Sequence, residues 1–96
     1  MRTYRLAPAA QRDLSAIWDF AAERWDLGQA ETYVREIAAA VERVAEDPHR
    51  GRVCDDVREG DRRYSIGSHL LFYVEHEAGV DVIRILHQRM DPTRHL

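Results

Sequence analysis

His69-Leu70-Leu71-Phe72-Tyr73-Val74-Glu75-His76-Glu77-Ala78-Gly79-Val80-Asp81-Val82-Ile83-Arg84-Ile85-Leu86-His87 holds two runs rich in Leu, Ile, Val, Phe and Tyr on either side of Glu77-Ala78-Gly79. Residues of this kind fit a pleated, largely buried surface, and a short glycine-containing break between two such runs signals a hairpin. A third run, residues 62–66, precedes them and is set off by Gly67-Ser68. Strands over 62–66, 69–76 and 80–87 therefore form a three-stranded antiparallel meander. In the middle run neither Leu70, Phe72 and Val74 nor Leu71 and Tyr73 form a polar face. That strand is expected to be covered on both sides, at least when a partner is present.

Upstream of a polar loop at 49–60, the period changes from two to 3.6. Ala30, Tyr33, Val34, Ile37, Ala38, Val41, Val44 and Ala45 recur at helical spacing, with Glu31, Arg35, Glu36, Glu42 and Arg43 on the opposite face and Asp47-Pro48 as the stop. Before them, Ala10, Leu14, Ile17, Trp18, Ala21 and Trp25 mark one face of another helix, with Pro8 suited to its first position and Asp13, Asp19, Glu23 and Arg24 on the wet side. Asp26-Leu27-Gly28 separates the two helices, and Asp26 is placed to cap the second. Helices joined by so few residues pack antiparallel as a hairpin. Tyr4 and Leu6 around Arg5 make one short strand, which can pair with either edge of the meander.

The element order is strand, helix, helix, strand, strand, strand, an α+β domain over residues 1–96 with the helical hairpin packed on a small, mainly antiparallel sheet. Two helices cover one sheet face only. An apolar second face would then leave an exposed patch, and a binding partner is the natural cover.

Composition narrows the chemistry. All 14 basic residues are arginine and the formal net charge is −3. Without lysine there is no GxxxxGK[ST] phosphate loop and no Schiff-base nucleophile. An acidic chain is poorly suited to binding nucleic acid by itself. Cys54 is the one cysteine, so no intrachain disulfide forms, and a loop or packing role is expected of it. His69 and His76 lie seven apart on one strand and face opposite sides, while His49, His87 and His95 show no ligand spacing. No cofactor or metal is expected. The opening Met1-Arg2-Thr3-Tyr4-Arg5-Leu6 has no apolar run behind it, and no stretch approaches a membrane span, so a cytoplasmic location is expected.

Tyr4-Arg5-Leu6 with Ala10 and Asp13-Leu14-x-x-Ile17-Trp18, then Ala30-x-x-Tyr33, and above all Ile83-Arg84-Ile85-Leu86-His87-Gln88-Arg89-Met90-Asp91 resemble the ParE branch of the RelE/ParE toxin superfamily across essentially the whole chain. The resemblance implies a RelE-like fold and the toxin of a type II toxin–antitoxin pair, neutralised by a ParD-like antitoxin. That antitoxin would supply the operator DNA contacts, so DNA would be met only indirectly. ParE-type members act on DNA gyrase and block replication, whereas RelE-type members cut messenger RNA on the ribosome.

A nuclease must activate a ribose hydroxyl and stabilise a pentacoordinate phosphate, which calls for several cations and an acid or base. Arg63, Arg84 and His87 are the residues that would carry such chemistry. Each also has a plainer role: Arg84 as the partner of a carboxylate or an apolar stem over the strand, His87 as a hydrogen-bonded structural residue. Arg62 and Arg63, adjacent on a strand, point to opposite faces. Trp18 and Trp25, seven apart, share a helix face and serve as core or as anchors for an antitoxin. Tyr33, Arg63, Tyr73 and Arg84 complete the set of candidate antitoxin contacts. The segment 88–96 is either a frayed end or a peptide that docks on gyrase through Arg89, Met90, Arg94, His95 and Leu96. A gyrase-binding toxin without chemistry of its own is the favoured expectation, with the ribosome-dependent endoribonuclease as the alternative.

Overall fold

The structure is a computed structural model that describes residues 3–96; Met1 and Arg2, the start of the opening segment, lie outside the described residues. Strand β1 (Thr3–Leu6) leads into α1 (Pro8–Arg24), and α2 (Leu27–Glu46) follows after two residues. Pro8 opens α1, where its missing N–H costs nothing. The Asp26 side chain accepts from the Gln29 backbone N–H at 2.8 Å and so caps α2. Beyond a 3-10 turn at Pro48–Arg50 come β2 (Arg52–Val53), β3 (Asp61–Ile66), β4 (His69–His76) and β5 (Gly79–His87).

The five strands are ordered β1-β5-β4-β3-β2. The first strand pairs with β5 and runs parallel to it, while every other pairing is antiparallel. β2 lies within the segment expected to be loop. Two residues are too few to show alternation, and pairing with Arg62 and Arg63 alone makes them a strand.

The helical hairpin covers one face of the sheet. Ala10 and Ile17 of α1 and Ile37, Ala40, Val41, Val44 and Ala45 of α2 pack on Leu71, Tyr73, Val80, Val82 and Ile85. Ala38, expected on the buried stripe of α2, is exposed, and Ala40 takes its place.

A register shift between Phe72 and Tyr73 controls the rest of β5. Phe72 pairs with Arg84 but Tyr73 pairs with Val82, so Ile83 is an extra residue, a bulge. Parity reverses there: Val80 and Val82 face the helices before the bulge, and Ile85 does so after it. Arg84 and Leu86 thereby turn to the far face, away from Val82, whose side uninterrupted strand alternation would give them.

That far face has its own cover within the chain. Cys54, Phe72 and Leu86 are buried together, with Val57, Leu70 and Leu96 packed against them. β4 is thus covered on both sides as expected, by helices on one and by the loop after β2 and the C-terminal residue on the other. The uncovered apolar surface lies elsewhere.

The C-terminal segment folds back instead of fraying. Gln88 N–H donates to Ser68 O at 2.8 Å, Asp91 caps a 3-10 turn at Pro92–Arg94 through the Thr93 N–H, and Arg84 Nη1 donates to His95 O at 3.0 Å.

Candidate functional site

Beyond its core stripe of Ala10, Ile17 and Ala21, α1 carries a second apolar arc. Phe20 follows Ile17 by three positions and Ala16 by four, so the hydrophobic surface of this helix is wider than the area the sheet can bury. Phe20 is left 55% exposed, Trp25 at the helix end 49% and Met90 after β5 47%. These three rim a cleft of about 400 Å³ whose walls include Asp13, Ile17, Tyr33, His69, Ile85 and His87. The Arg24 guanidinium lies 4.9 Å from the Phe20 ring centroid, a cation–π contact at the mouth.

One wall is a row of four rings. Trp25 meets Tyr33 edge-on at 6.0 Å, Tyr33 meets His69 at 5.6 Å, and His69 meets His87 at 5.3 Å. The row depends on the bulge, because the parity reversal brings His87 to the helix side, directly across from His69 in the ladder. Tyr33 O–H lies 2.6 Å from His69 Nδ1, and the same oxygen accepts from Ser68 N–H at 3.1 Å. Burial pushes the Tyr33 phenol up, opposed in part by the Ser68 bond. Burial, then the neighbouring His87, hold the His69 imidazole below its ordinary value, with Asp13 acting the other way.

Asp13, expected on the wet side of α1, has a side chain only 15% exposed. It accepts from Arg84 Nε at 2.7 Å and Nη2 at 2.8 Å and from Ile85 N–H at 2.9 Å. The β5 edge beyond its pairing with β1 is open at Ile85, and the carboxylate satisfies that N–H while clamping the arginine. The paired carboxylate raises the Arg84 pKa. Arg84 then links α1 to the C-terminal segment through His95 O.

The other candidate residues fall in different places. Arg63 pairs across the sheet with Phe72, as Arg84 does, so both belong to the far face, while His87 lines the cleft on the helix side. The three residues of the nuclease alternative do not converge. Tyr73 is fully buried, and its hydroxyl donates to Pro48 O at 2.7 Å and accepts from Gly51 N–H at 2.9 Å, which makes it core and removes it from any docking surface. Gly51 is required there, because a Cβ would sit 2.3 Å from that hydroxyl. Trp25 ends α1 with extended backbone angles, so the spacing of seven does not put it on the face of Trp18. Trp18 instead borders a shallow groove with Leu6, Leu14 and Val34. Arg89, Arg94 and His95 are exposed, and Leu96 is half-buried on the far face.

Sequence reasoning passed over Phe20 and His69 as site residues. The width of the apolar arc on α1 was the available signal for the first. The bulge hid the second, since nothing in the residue pattern announces Ile83 as the extra position. Among the described residues no group of three or more His, Cys, Asp or Glu is placed to hold a metal ion, and no helix is long and apolar enough to cross a membrane.

These features define a small α+β domain of RelE-like architecture, with a helical hairpin on a five-stranded sheet and an open apolar cleft beside α1. The chain belongs to the family described as the ParE toxin of the type II toxin–antitoxin system parDE, whose family model matches residues 4–92. It is 52% identical over 94 residues to Toxin ParE1 of Mycobacterium tuberculosis (strain ATCC 25618 / H37Rv), covering 97% of this chain and 96% of the relative. Identity to Toxin ParE1 of Caulobacter vibrioides is 42% over 96 residues, covering 100% of this chain and 99% of the relative. A chain of the chromosomal ParDE system of P. aeruginosa shares the fold, with a TM-score of 0.78 at 18% identity over 91% of this chain and 96% of that one.

Proposed function

We propose that this ParE-family toxin acts by binding, with DNA gyrase as its target, and that a ParD-like antitoxin neutralises it by filling the cleft beside α1. The observation that carries the proposal is the exposure of Phe20, Trp25 and Met90 around one cavity. Large apolar side chains clustered on a small protein are the ordinary mark of a protein–protein site, and aromatic anchors dominate the energy of such sites.

The endoribonuclease alternative has less to draw on. Arg84 is committed to Asp13 and His95 O, Arg63 lies on the opposite sheet face from His87, and the chain is acidic. His69 and His87 are paired in a largely apolar wall, and the Arg24 cation at the mouth is stacked on Phe20, with no cluster of cations among the described lining residues for a phosphate.

The operator contacts of the pair would fall to the antitoxin. A supercoiling and DNA-cleavage assay with purified chain and gyrase tests the target. Inhibition of supercoiling with accumulation of cleaved DNA is expected. Gyrase unaffected over a wide concentration range, or messenger RNA cut on ribosomes in its place, would overturn the assignment.

A further inference from the structure

His69 and His87 form a nearly perpendicular pair, 5.3 Å between ring centroids, in a wall shared with Ile17, Phe20, Ile85 and Met90. Two neutral imidazoles suit such a wall. Two imidazolium rings do not, because each loses hydration and repels the other.

The groups around the pair offer little to offset that cost. From α1, Asp13 acts on His69, but its oxygens are already held by Arg84 and the Ile85 N–H. From α2 comes the Tyr33 hydroxyl, with Glu36 acting on that phenol. From β5, Arg84 belongs to the far face and its charge is taken up by Asp13. From the C-terminal segment, the Arg89 N–H donates to His87 Nδ1 at 3.1 Å and so keeps that nitrogen an acceptor, as in the neutral ring. At the mouth stands the Arg24 cation.

We infer that the His69–His87 pair makes the cleft a proton-sensitive docking site, which accepts an uncharged apolar side chain of the antitoxin while both rings are neutral and rejects it as they protonate. The inference rests on the cleft being the docking site proposed above. The sign follows from linkage. An apolar occupant removes water from the rings and so disfavours their charged forms, and protonation and occupancy oppose each other. Affinity is full above the titration of the free pair and falls as pH drops through it. Burial has already lowered His69, so the part of the fall that this ring carries lies below the ordinary histidine value of about 6.5.

The test uses the full chain and N-phenyl-1-naphthylamine, an uncharged fluorophore that brightens in apolar surroundings. Its dissociation constant is measured from about pH 8 to about pH 5, with circular dichroism verifying the fold at each point. One further unit of pKa depression on binding corresponds to a weakening of about tenfold across that range. His69→Gln and His87→Gln should each flatten the dependence, and either variant suffices if the other fails to fold.

Binding that is indifferent to pH, or tighter in acid, would overturn the inference. So would glutamine variants that keep the wild-type profile. A flat profile in a chain whose antitoxin affinity still depends on Phe20 would leave the docking proposal standing. Absence of dye binding at any pH would overturn the inference, while the docking proposal would still be decided by titration of the chain with its antitoxin.

Discussion

Asp13 lies between Arg12 and Leu14 in what reads as the solvent side of a helix, and its partner is 71 residues away. A single sequence holds no signal for such a pairing. Arg84 was legible as a residue in need of a carboxylate; which carboxylate was not. With side chains 15% and 22% exposed, the pair is largely desolvated. Asp13→Ala should therefore destabilise the chain by about 3 kcal/mol in urea unfolding, since it strands the arginine and the Ile85 N–H. Asp13→Asn, which can still accept from that N–H, should lose less. Equal losses would mean that the Ile85 bond contributes nothing.

Asp61 is a second residue whose environment the sequence conceals. It is fully buried on β3, with Arg58 Nε 3.3 Å from one carboxylate oxygen. Burial pushes its pKa up, and Arg58 opposes only part of that shift. A carboxyl raised above its unfolded value contributes stability that is fully present below the unfolded pKa and is lost as pH rises through the folded one. The stability of the wild type relative to Asp61→Asn should thus decrease as pH rises above the ordinary carboxyl value of about 3.9 in paired urea titrations. A constant difference would show that Asp61 titrates as it does in the unfolded chain.

At the scale of elements, the helices and long strands were legible because their patterns extend over many residues. Pro8, Asp26 and Asp47-Pro48 mark helix ends by local chemistry alone. The two-residue β2 and the bulge at Ile83 were not legible, because each depends on how a partner strand is aligned. The bulge matters most, since it sends Arg84 to the far face and His87 to the cleft.

The docked C-terminal segment was hidden for a related reason. Isolated apolar residues such as Leu96 acquire meaning only when a surface exists for them to cover. Removal of residues 91–96 would delete that cover and the His95 carbonyl held by Arg84. A loss of about 1–2 kcal/mol is expected, with faster amide exchange on β4 and β5. Unchanged exchange on those strands would mean that the segment only rests on the surface.

For the molecule as a whole, the α+β architecture and the family were readable from the sequence. The place of the bare surface was not. A hairpin on one sheet face left the other face as the expected docking surface, but Cys54, Val57 and Leu96 close it from within. The open hydrophobic area is at the side, where α1 overhangs the ends of β4 and β5. Its rim residues are solvent-exposed in the free chain, so altering them should change what the molecule binds with little effect on whether it folds.

Isothermal titration of the purified chain with its antitoxin, comparing the wild type with the Phe20→Ala/Trp25→Ala double variant, measures that directly. Two aromatic anchors lost from one site should weaken binding at least about 100-fold, with the unfolding midpoint nearly unchanged. Wild-type affinity in a folded double variant would contradict the account.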